Sequence, residues 1–525
     1  MLRQIASVGS LTLISRISGF MRDIVLANLL GAGLAADAFV VAQRLPNHFR
    51  AIFGEGAFNA AFVPSYARML EQHGQAGASR FASALLRLLV VALISVTGLS
   101  MLFMPQVVMV LAPGFSADPV KFSLAVTLTR ITFPYLFFIS LVTLLSGILN
   151  AHERFASPAF APVLLNLSII AALLMSLWFP DAAHAAAWGV FIAGILEFLL
   201  VLWDAHRSGL VPPVHPGPTD EPHEQALHGF WRALGPGVVG SAGVQLAMFA
   251  DTIIASLLPT GAVASLYYAD RLYQLPVGMI GIAAGTVLLP TMTKYWAAGQ
   301  HSHAHQAQNQ AMALTLLLSA PFLVAFLAVP DTIMRGLFMR GAFDSEAARA
   351  AGSVLAAYTT GLPAVVLIRS AVASFHARGD TRTPLIAAFV GIGVNISLKI
   401  MLADPWGASG LALATAIGAW INFGLLVALA MARDWMAPDS ALGRWLCVIS
   451  LSALIMAASV YGASTPIQTL TLSQSPFNNE AELALLALCG GVAYLLPLLI
   501  FMRLFKLSLK RPDAPLPDPS SSSKL

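Results

Sequence analysis

Long apolar runs separated by short polar turns recur along the chain, and about fourteen of them have the length of a bilayer-spanning helix. Their centres fall near residues 17, 45, 95, 135, 168, 194, 245, 275, 322, 360, 392, 419, 452 and 492, with polar breaks inside the second and eighth. The pattern predicts an all-α polytopic membrane protein. One stretch, 207–225, interrupts it with Pro212, Pro213, Pro216, Pro218 and Pro222, and reads as a linker. The tail at 511–525, rich in Pro and Ser, reads as disordered.

A longer period underlies the helical one. Asp23-Ile-Val-Leu-Ala-Asn-Leu-Leu returns as Asp251-Thr-Ile-Ile-Ala-Ser-Leu-Leu, shifted by 228 positions. Leu45-Pro46 returns as Leu275-Pro276 at a shift of 230, while Phe133-Pro134 matches Leu362-Pro363 and Asn166-Leu-Ser matches Asn395-Ile-Ser at 229. Four matches in order at nearly one shift define a repeat. A shift of six helices preserves topology, so two parallel six-helix repeats are expected to form two lobes around a central cavity. The expected divisions are an N-lobe at 1–206, a cytoplasmic linker at 207–228 and a C-lobe at 229–435. Two additional helices follow at 436–508, then a basic tail at 509–525. Two similar lobes suit alternating access, and Pro46, Pro134, Pro276 and Pro363 are placed to kink or break their helices.

Composition agrees with this reading. Of 525 residues, 58% are hydrophobic and only 10% charged, against about 25% charged in soluble proteins. Arginines interrupt the first apolar run and no small-residue cleavage site is evident, so that run is expected to stay as a helix. Cys447 and Cys489 lie in apolar segments and read as small core residues. Loops after even-numbered helices carry Arg68, Arg80, Arg154, Arg207, Lys294, Arg378, Arg382, Arg433 and Arg444, whereas those after odd-numbered helices offer chiefly Lys121, Arg335 and Arg340. Both termini are therefore expected in the cytoplasm.

The candidate chemistry lies in the spans. Arg16 sits about eleven residues into an apolar run, roughly 16 Å deep at the rise of a helix. Such charges are costly in a bilayer and commonly mark a transport path. Arg22, Asp23, Asp37, Arg50, Glu55, Arg130, Asp251, Asp270, Arg271, Arg369 and Lys399 share this environment. Asp37 and Lys399 are near enough to helix ends to snorkel, and neighbours such as Arg22–Asp23 and Asp270–Arg271 could simply neutralise each other. Taken together the arginines say more. Arg16 and Arg22 are about 120° apart on the helix, so both can border one wide cavity, with Gly19 allowing a neighbour to approach. Gly54 and Gly56 flank Glu55, where the backbone can open around a carboxylate. Arginine forks suit phosphate or carboxylate oxygens, so the expected ligand is an anion, most naturally a phosphate. In the repeat Asp23 has a counterpart in Asp251, whereas Arg22 aligns with Ala250.

These residues also carry a family resemblance. Ser15-Arg16, Arg22-Asp23, Gly31-Ala-Gly33, Ala36-Asp37-Ala38-Phe39, Leu45-Pro46-Asn47, Arg50, Glu55-Gly-Ala-Phe58 and Phe62-Val-Pro64 resemble the MurJ (MviN) lipid II flippases. Tyr267-Tyr-Ala-Asp270-Arg271-Leu continues the likeness, as does Asn150 to Arg154 followed by Pro158. The resemblance covers about residues 1–505. It implies the fourteen-helix fold of the multidrug/oligosaccharidyl-lipid/polysaccharide exporter superfamily. It also implies movement of lipid II, the lipid-linked peptidoglycan precursor, from the cytoplasmic to the periplasmic leaflet of the bacterial inner membrane. Arg16, Arg22, Arg50 and Arg271, with Asp37, Glu55 and Asp270, match the family's cavity residues, and the last two helices match its groove for the isoprenoid tail. Partners so implied are lipid II, membrane lipids and the cell-wall synthesis machinery. Some relatives bind sodium between the seventh and eleventh helices. Asp251 and Asn395 are the counterparts here, but Lys399 stands one turn after Asn395, and its ammonium is expected to replace that cation and pair with Asp251.

Other readings remain open at this stage. A flippase for another undecaprenyl-linked saccharide shares the architecture, and substrate identity rests on the resemblance. A membrane glycosyltransferase needs a catalytic acid and usually a metal or a sizeable outer loop, for which the short outer loops leave little room. A channel fits a two-lobe repeat poorly. No Gly-rich phosphate loop followed by Lys-Ser/Thr occurs, so ATP hydrolysis is not expected. The run His301, His303, His305 reads as a solvated loop rather than a metal site. No enzyme activity, cofactor, metal or nucleic acid is expected.

Overall fold

The computed structural model describes residues 2–50, 57–213, 221–471 and 478–507. Among them the regular structure is helical throughout. The first half runs through α1 (Leu2–Leu30), α2 (Leu34–Phe49), α3 (Ala57–Leu102) and α4 (Met104–Leu111), then a short 3₁₀ turn at Pro113–Ala117. It continues with α5 (Pro119–Thr132), α6 (Tyr135–Ala151), α7 (Ala156–Leu174) and α8 (Ala182–Arg207). The second half runs through α9 (Glu221–Ser256), α10 (Ala262–Ala297), α11 (His301–Ala328), α12 (Pro330–Phe338), α13 (Ser345–Thr359), α14 (Leu362–His376) and α15 (Arg382–Ala432). Two further helices, α16 (Ser440–Thr471) and α17 (Asn478–Leu504), end the described chain.

The sequence repeat is visible element by element. Adding 228 to 230 lays α1 on α9, α2 on the start of α10, α4 on α12, α5 on α13 and α6 on α14. The same shift lays α7 and α8 on the two parts of α15, which bends at Gly407, where φ is +54°. Pro134 separates α5 from α6, and Pro363 opens α14 directly after Gly361, so the matched prolines break matched helices. Pro46 and Pro276 instead lie within α2 and α10. Residues 221–228, the end of the stretch read as a linker, are helical; 214–220, the tail beyond 507 and Glu55 with its flanking glycines lie outside the described residues.

Among the described residues nine stretches are long and apolar enough to cross a membrane. The count differs from fourteen for identifiable reasons. The segments centred at 392 and 419 form one bent helix, and α2 has only 16 residues. The charge-bearing α1 and α10 do not qualify, and α9 contributes only the shorter apolar stretch Ala247–Ser256.

The chain forms two compact units, one of Met1–Tyr267 with Phe338–Ala347 and one of Tyr268–Leu337 with Ala348–Leu525. Inside the first, on the two arms of α3 bent at Gly74, Phe62 stacks on Phe58 and Phe81 and lies tilted against Tyr66. Gly189 brings α8 against α7 so closely that a Cβ there would sit 2.8 Å from the Ile169 Cα. The second unit is built on α11, α14, α16 and α17, around Leu317, Phe375, Leu426, Trp445 and Tyr494. At its polar margin Asp380 pairs with Arg433 (2.9 Å), and in the first unit Arg154 pairs with Asp204 (2.6 Å). Asp204 and Arg433 are matched by the 229 shift, so an acid in one half stands where the other has a base.

Candidate functional site

In the first unit, α1 turns Arg22 inward onto a network that engages all three nitrogens of its guanidinium. Nε and Nη2 donate to one Asp23 oxygen at 3.0 and 2.7 Å, and Nη1 donates to the Asn166 side-chain oxygen at 3.1 Å. Tyr267 accepts from Nη2 at 3.3 Å and donates to Asp23 at 2.8 Å. Asn166 in turn donates to the Ser15 carbonyl and the Ser18 hydroxyl, both at 3.0 Å. Gly19 is what admits it: a Cβ there would lie 3.4 Å from the Asn166 amide nitrogen. The expected Arg22–Asp23 pair is thus present, and α7 and α10 complete it. Arg16, on the same helix, is exposed.

Asp37 has a different place from the one expected of a cavity residue. Its side chain is fully buried (0% exposed), and it neither borders open space nor snorkels. Lys121, counted above as a loop cation, is itself only 4% exposed and holds Asp37 at 2.7 Å. The backbone N–H groups of Gly261 and Ala264 donate to the same carboxylate, both at 2.8 Å, capping the start of α10. The Phe115 ring lies 4.2 Å from the ammonium. A carboxylate with a cation and two N–H donors is fully satisfied, and Asp37 reads as an anchor.

Around this anchor the first unit is clasped twice. The Gly114 N–H donates to the Ser256 hydroxyl at 3.2 Å, and the Ala342 N–H donates to the Asn28 carbonyl at 2.8 Å. At the 228 shift Gly114 maps onto Ala342 and Asn28 onto Ser256, so each half lends a loop to the end of the other half's first helix. Gly31 and Gly341 adopt φ of +66° and +54°, and a Cβ on either would collide with the backbone of the opposing partner.

Arg50 caps α2 and is partly buried. It acts electrostatically on Glu197 of α8, an acid 1% exposed that also accepts a hydrogen bond from Tyr135. Glu197 was missed in the sequence, although a lone acid inside the apolar run of α8 was signal enough. Asp251 lies partly buried on α9 in the first unit. In the second unit, Asp270 accepts a bond from Gln274 at 3.3 Å, Arg271 is partly buried on the same helix, Asn395 is partly buried on α15 and Lys399 is buried one turn further on.

The histidine run opens helix α11 instead of forming a loop. His301 meets Trp296 at 4.0 Å between ring centroids, and His303 stacks on Tyr295 at 5.6 Å. Among the described residues no group of three or more His, Cys, Asp or Glu is placed to hold a metal. Between α16 and α17 an apolar groove of about 580 Å³ is lined by Ile455, Leu485, Leu488, Val492 and Leu496. Between the end of α10 and the loop after α14, the Arg378 guanidinium lies 3.3 Å from the Trp296 ring centroid, and burial lowers its pKa to about 10.

A repeated set of spanning helices, with a buried arginine network inside the first unit, is that of a multi-pass membrane protein of the transporter class. Known proteins make the class specific. The family model described as "Lipid II flippase MurJ" matches residues 26–478. A probable lipid II flippase MurJ of Rhizobium meliloti (strain 1021) is 39% identical over 94% of this chain and 91% of its own length. The lipid II flippase MurJ of Burkholderia cenocepacia is 33% identical over 93% of this chain and 94% of its own. A solved structure of lipid II flippase MurJ in an inward closed conformation superposes with a TM-score of 0.79 at 26% identity, covering 95% of this chain and 99% of that one. An inward-facing multidrug resistance transporter of the MATE family gives 0.68 at 15% identity over 84% and 99%, a likeness of fold alone. The chain belongs to the MurJ lipid II flippase family.

Proposed function

We propose that this protein carries lipid II from the cytoplasmic to the periplasmic leaflet of the bacterial inner membrane, with both termini in the cytoplasm. The observation that carries the proposal is the relatedness, along nearly the whole chain, to proteins named as lipid II flippases. The buried arginines fit it chemically, since a diphosphate offers the planar oxygen pairs that guanidinium forks bind. In this reading Arg16, Arg50 and Arg271 bind the phosphates, Arg22 does so by giving up its hold on Asp23, and Asp270 and Glu55 serve the sugar and peptide hydrogen bonds. Asp37 supports the site by anchoring α2 to α5 and α10. The isoprenoid tail follows the groove between α16 and α17, while alternating exposure moves the headgroup. No covalent chemistry is required, so the protein works as a transporter and not as an enzyme, and its partners are the cell-wall enzymes that make and use the lipid.

Lys399 bears on the energy source. A buried ammonium one turn from Asn395 takes the place of a bound sodium ion, and transport draws on another gradient; one charge moved through 100 mV yields about 2.3 kcal/mol. The proposal is tested by binding labelled lipid II to the detergent-solubilised protein. Arg16→Ala, Arg22→Ala and Arg271→Ala should each weaken binding roughly ten- to a hundredfold, as lost charge-assisted bonds do, and lysine should restore part of it. Unchanged affinity in all three would overturn the arginine assignment, and tighter binding of another undecaprenyl-linked saccharide would reassign the cargo.

A further inference from the structure

Glu197 is a carboxylate in an unusual position. It lies ten residues before the end of α8, 1% exposed; Tyr135 donates to it, and its Oε2 is buried with no hydrogen-bond partner among the described residues. A buried carboxylate with one bare oxygen is expensive unless a cation compensates or a proton neutralises it. The cation is Arg50.

The groups around it are few. Helix α7 contributes no ionisable side chain, and α6 contributes only Tyr135. On α5, Lys121 is committed to Asp37 and Arg130 is exposed; on α1, Arg22 is committed to Asp23, and Arg16 is exposed. Of the ionisable groups of α2, Asp37 faces Lys121, His48 bonds Gln245 and Arg44 bonds Thr252. On α8 itself, Asp204 is held by Arg154 and Ser157. Arg50 and Tyr135 are therefore the groups that govern Glu197.

The repeat supplies an internal control. At the shifts that align the two halves, Arg50 falls on Ile280, Glu197 on Leu426 and Tyr135 on Ala364. The three polar residues occur together in one half and are all apolar in the other. They form one device.

We propose that Glu197 is the proton-accepting counter-charge of Arg50, so that engagement of Arg50 by an anionic headgroup is accompanied by uptake of one proton onto Glu197. This rests on the reading of Arg50 as a phosphate-binding residue. The balance is simple. The diphosphate takes over the guanidinium, the carboxylate loses its compensating charge, and hydronium or a buffer acid gives up its proton to the bare Oε2, one O–H bond breaking in the donor as one forms on Glu197. Release of the headgroup returns Arg50 to Glu197 and the proton to water. Substrate occupancy is thereby linked to protonation, giving the carrier a means of sensing a proton gradient.

The test measures binding of labelled lipid II to the solubilised protein across neutral pH, together with proton uptake in weak buffer by an indicator dye. Wild type should take up about one proton per bound lipid, with affinity falling as pH rises by at most about tenfold per unit. Glu197→Gln, neutral at every pH, should bind with the wild type's low-pH affinity throughout and take up no such proton. Tyr135→Phe should keep the linkage but displace its midpoint, a change that a merely structural role would not give. A wild type that binds without proton uptake, or a Glu197→Gln protein that keeps the wild-type slope, overturns the proposal. Arg50→Ala separates the two readings. If it loses affinity while Glu197→Gln leaves the slope intact, phosphate binding by Arg50 stands and the linkage fails; if it changes neither affinity nor slope, both fail.

Discussion

At the scale of single residues, the buried pair Asp37–Lys121 shows how an intramembrane charge can be structural. Removing one partner leaves the other charged and desolvated, at a cost of about 3–5 kcal/mol. Asp37→Ala should therefore lower the unfolding midpoint in detergent markedly, and Asp37→Leu combined with Lys121→Met should recover most of the loss. A midpoint unchanged by Asp37→Ala would remove the anchor. Lys399 makes a contrasting prediction: exchanging potassium for sodium at constant ionic strength should leave the midpoint where it is. A sodium-specific rise that vanishes in Asp251→Ala would contradict the replacement of the ion by the ammonium. Asp380, in the loop before α15, gives a pH signature. The Thr383 backbone and hydroxyl, then Arg433, hold its carboxyl below the usual range. Its contribution to stability is thus present at neutral pH and lost as pH falls through the lowered value. Asp380→Asn should flatten that part of the acid-unfolding curve.

At the scale of elements, the repeat and its helix breaks were legible in the sequence, because apolar period and proline position are local properties. Pro134 and Pro363 stand at the starts of α6 and α14, at matched breaks between helices. The partner of Lys121 was not legible. Asp37 lies 84 residues away, and no spacing rule connects a cation counted in a loop to an acid in a helix. The histidine run was misread because it lacks apolar periodicity; stacking on Trp296 and Tyr295 supplies what propensity does not. The reciprocal clasps could not be foreseen either, since they join backbone atoms. They carry a prediction of their own. Cysteines placed at Asn28 and Ala342, with Cys447 and Cys489 replaced, should cross-link across a backbone hydrogen bond of 2.8 Å. If the clasp opens during transport, the oxidised protein should bind headgroup but not move it, and reductant should restore movement. Gly341→Ala should destabilise the clasp by about 1–2 kcal/mol from its left-handed backbone alone.

At the scale of the whole molecule, two copies of one helical plan have been made unlike by a few polar substitutions. The first half holds Arg22, Arg50, Tyr135 and Glu197 where the second holds Ala250, Ile280, Ala364 and Leu426. The shared scaffold sets the architecture, and the additions distinguish the first half from the second. The overall class was legible because composition and hydropathy are properties of the whole chain, while charge pairs distant in sequence, such as Asp37–Lys121, emerged only with the fold. The central claim is translocation of lipid II, and proteoliposomes loaded with labelled lipid II test it most directly. A headgroup-modifying probe confined to one side should gain access to lipid from the opposite leaflet with the wild-type protein, and not with Arg16→Ala or Arg271→Ala. Access equal to that of protein-free vesicles with the wild type, or undiminished access with both variants, would contradict the account.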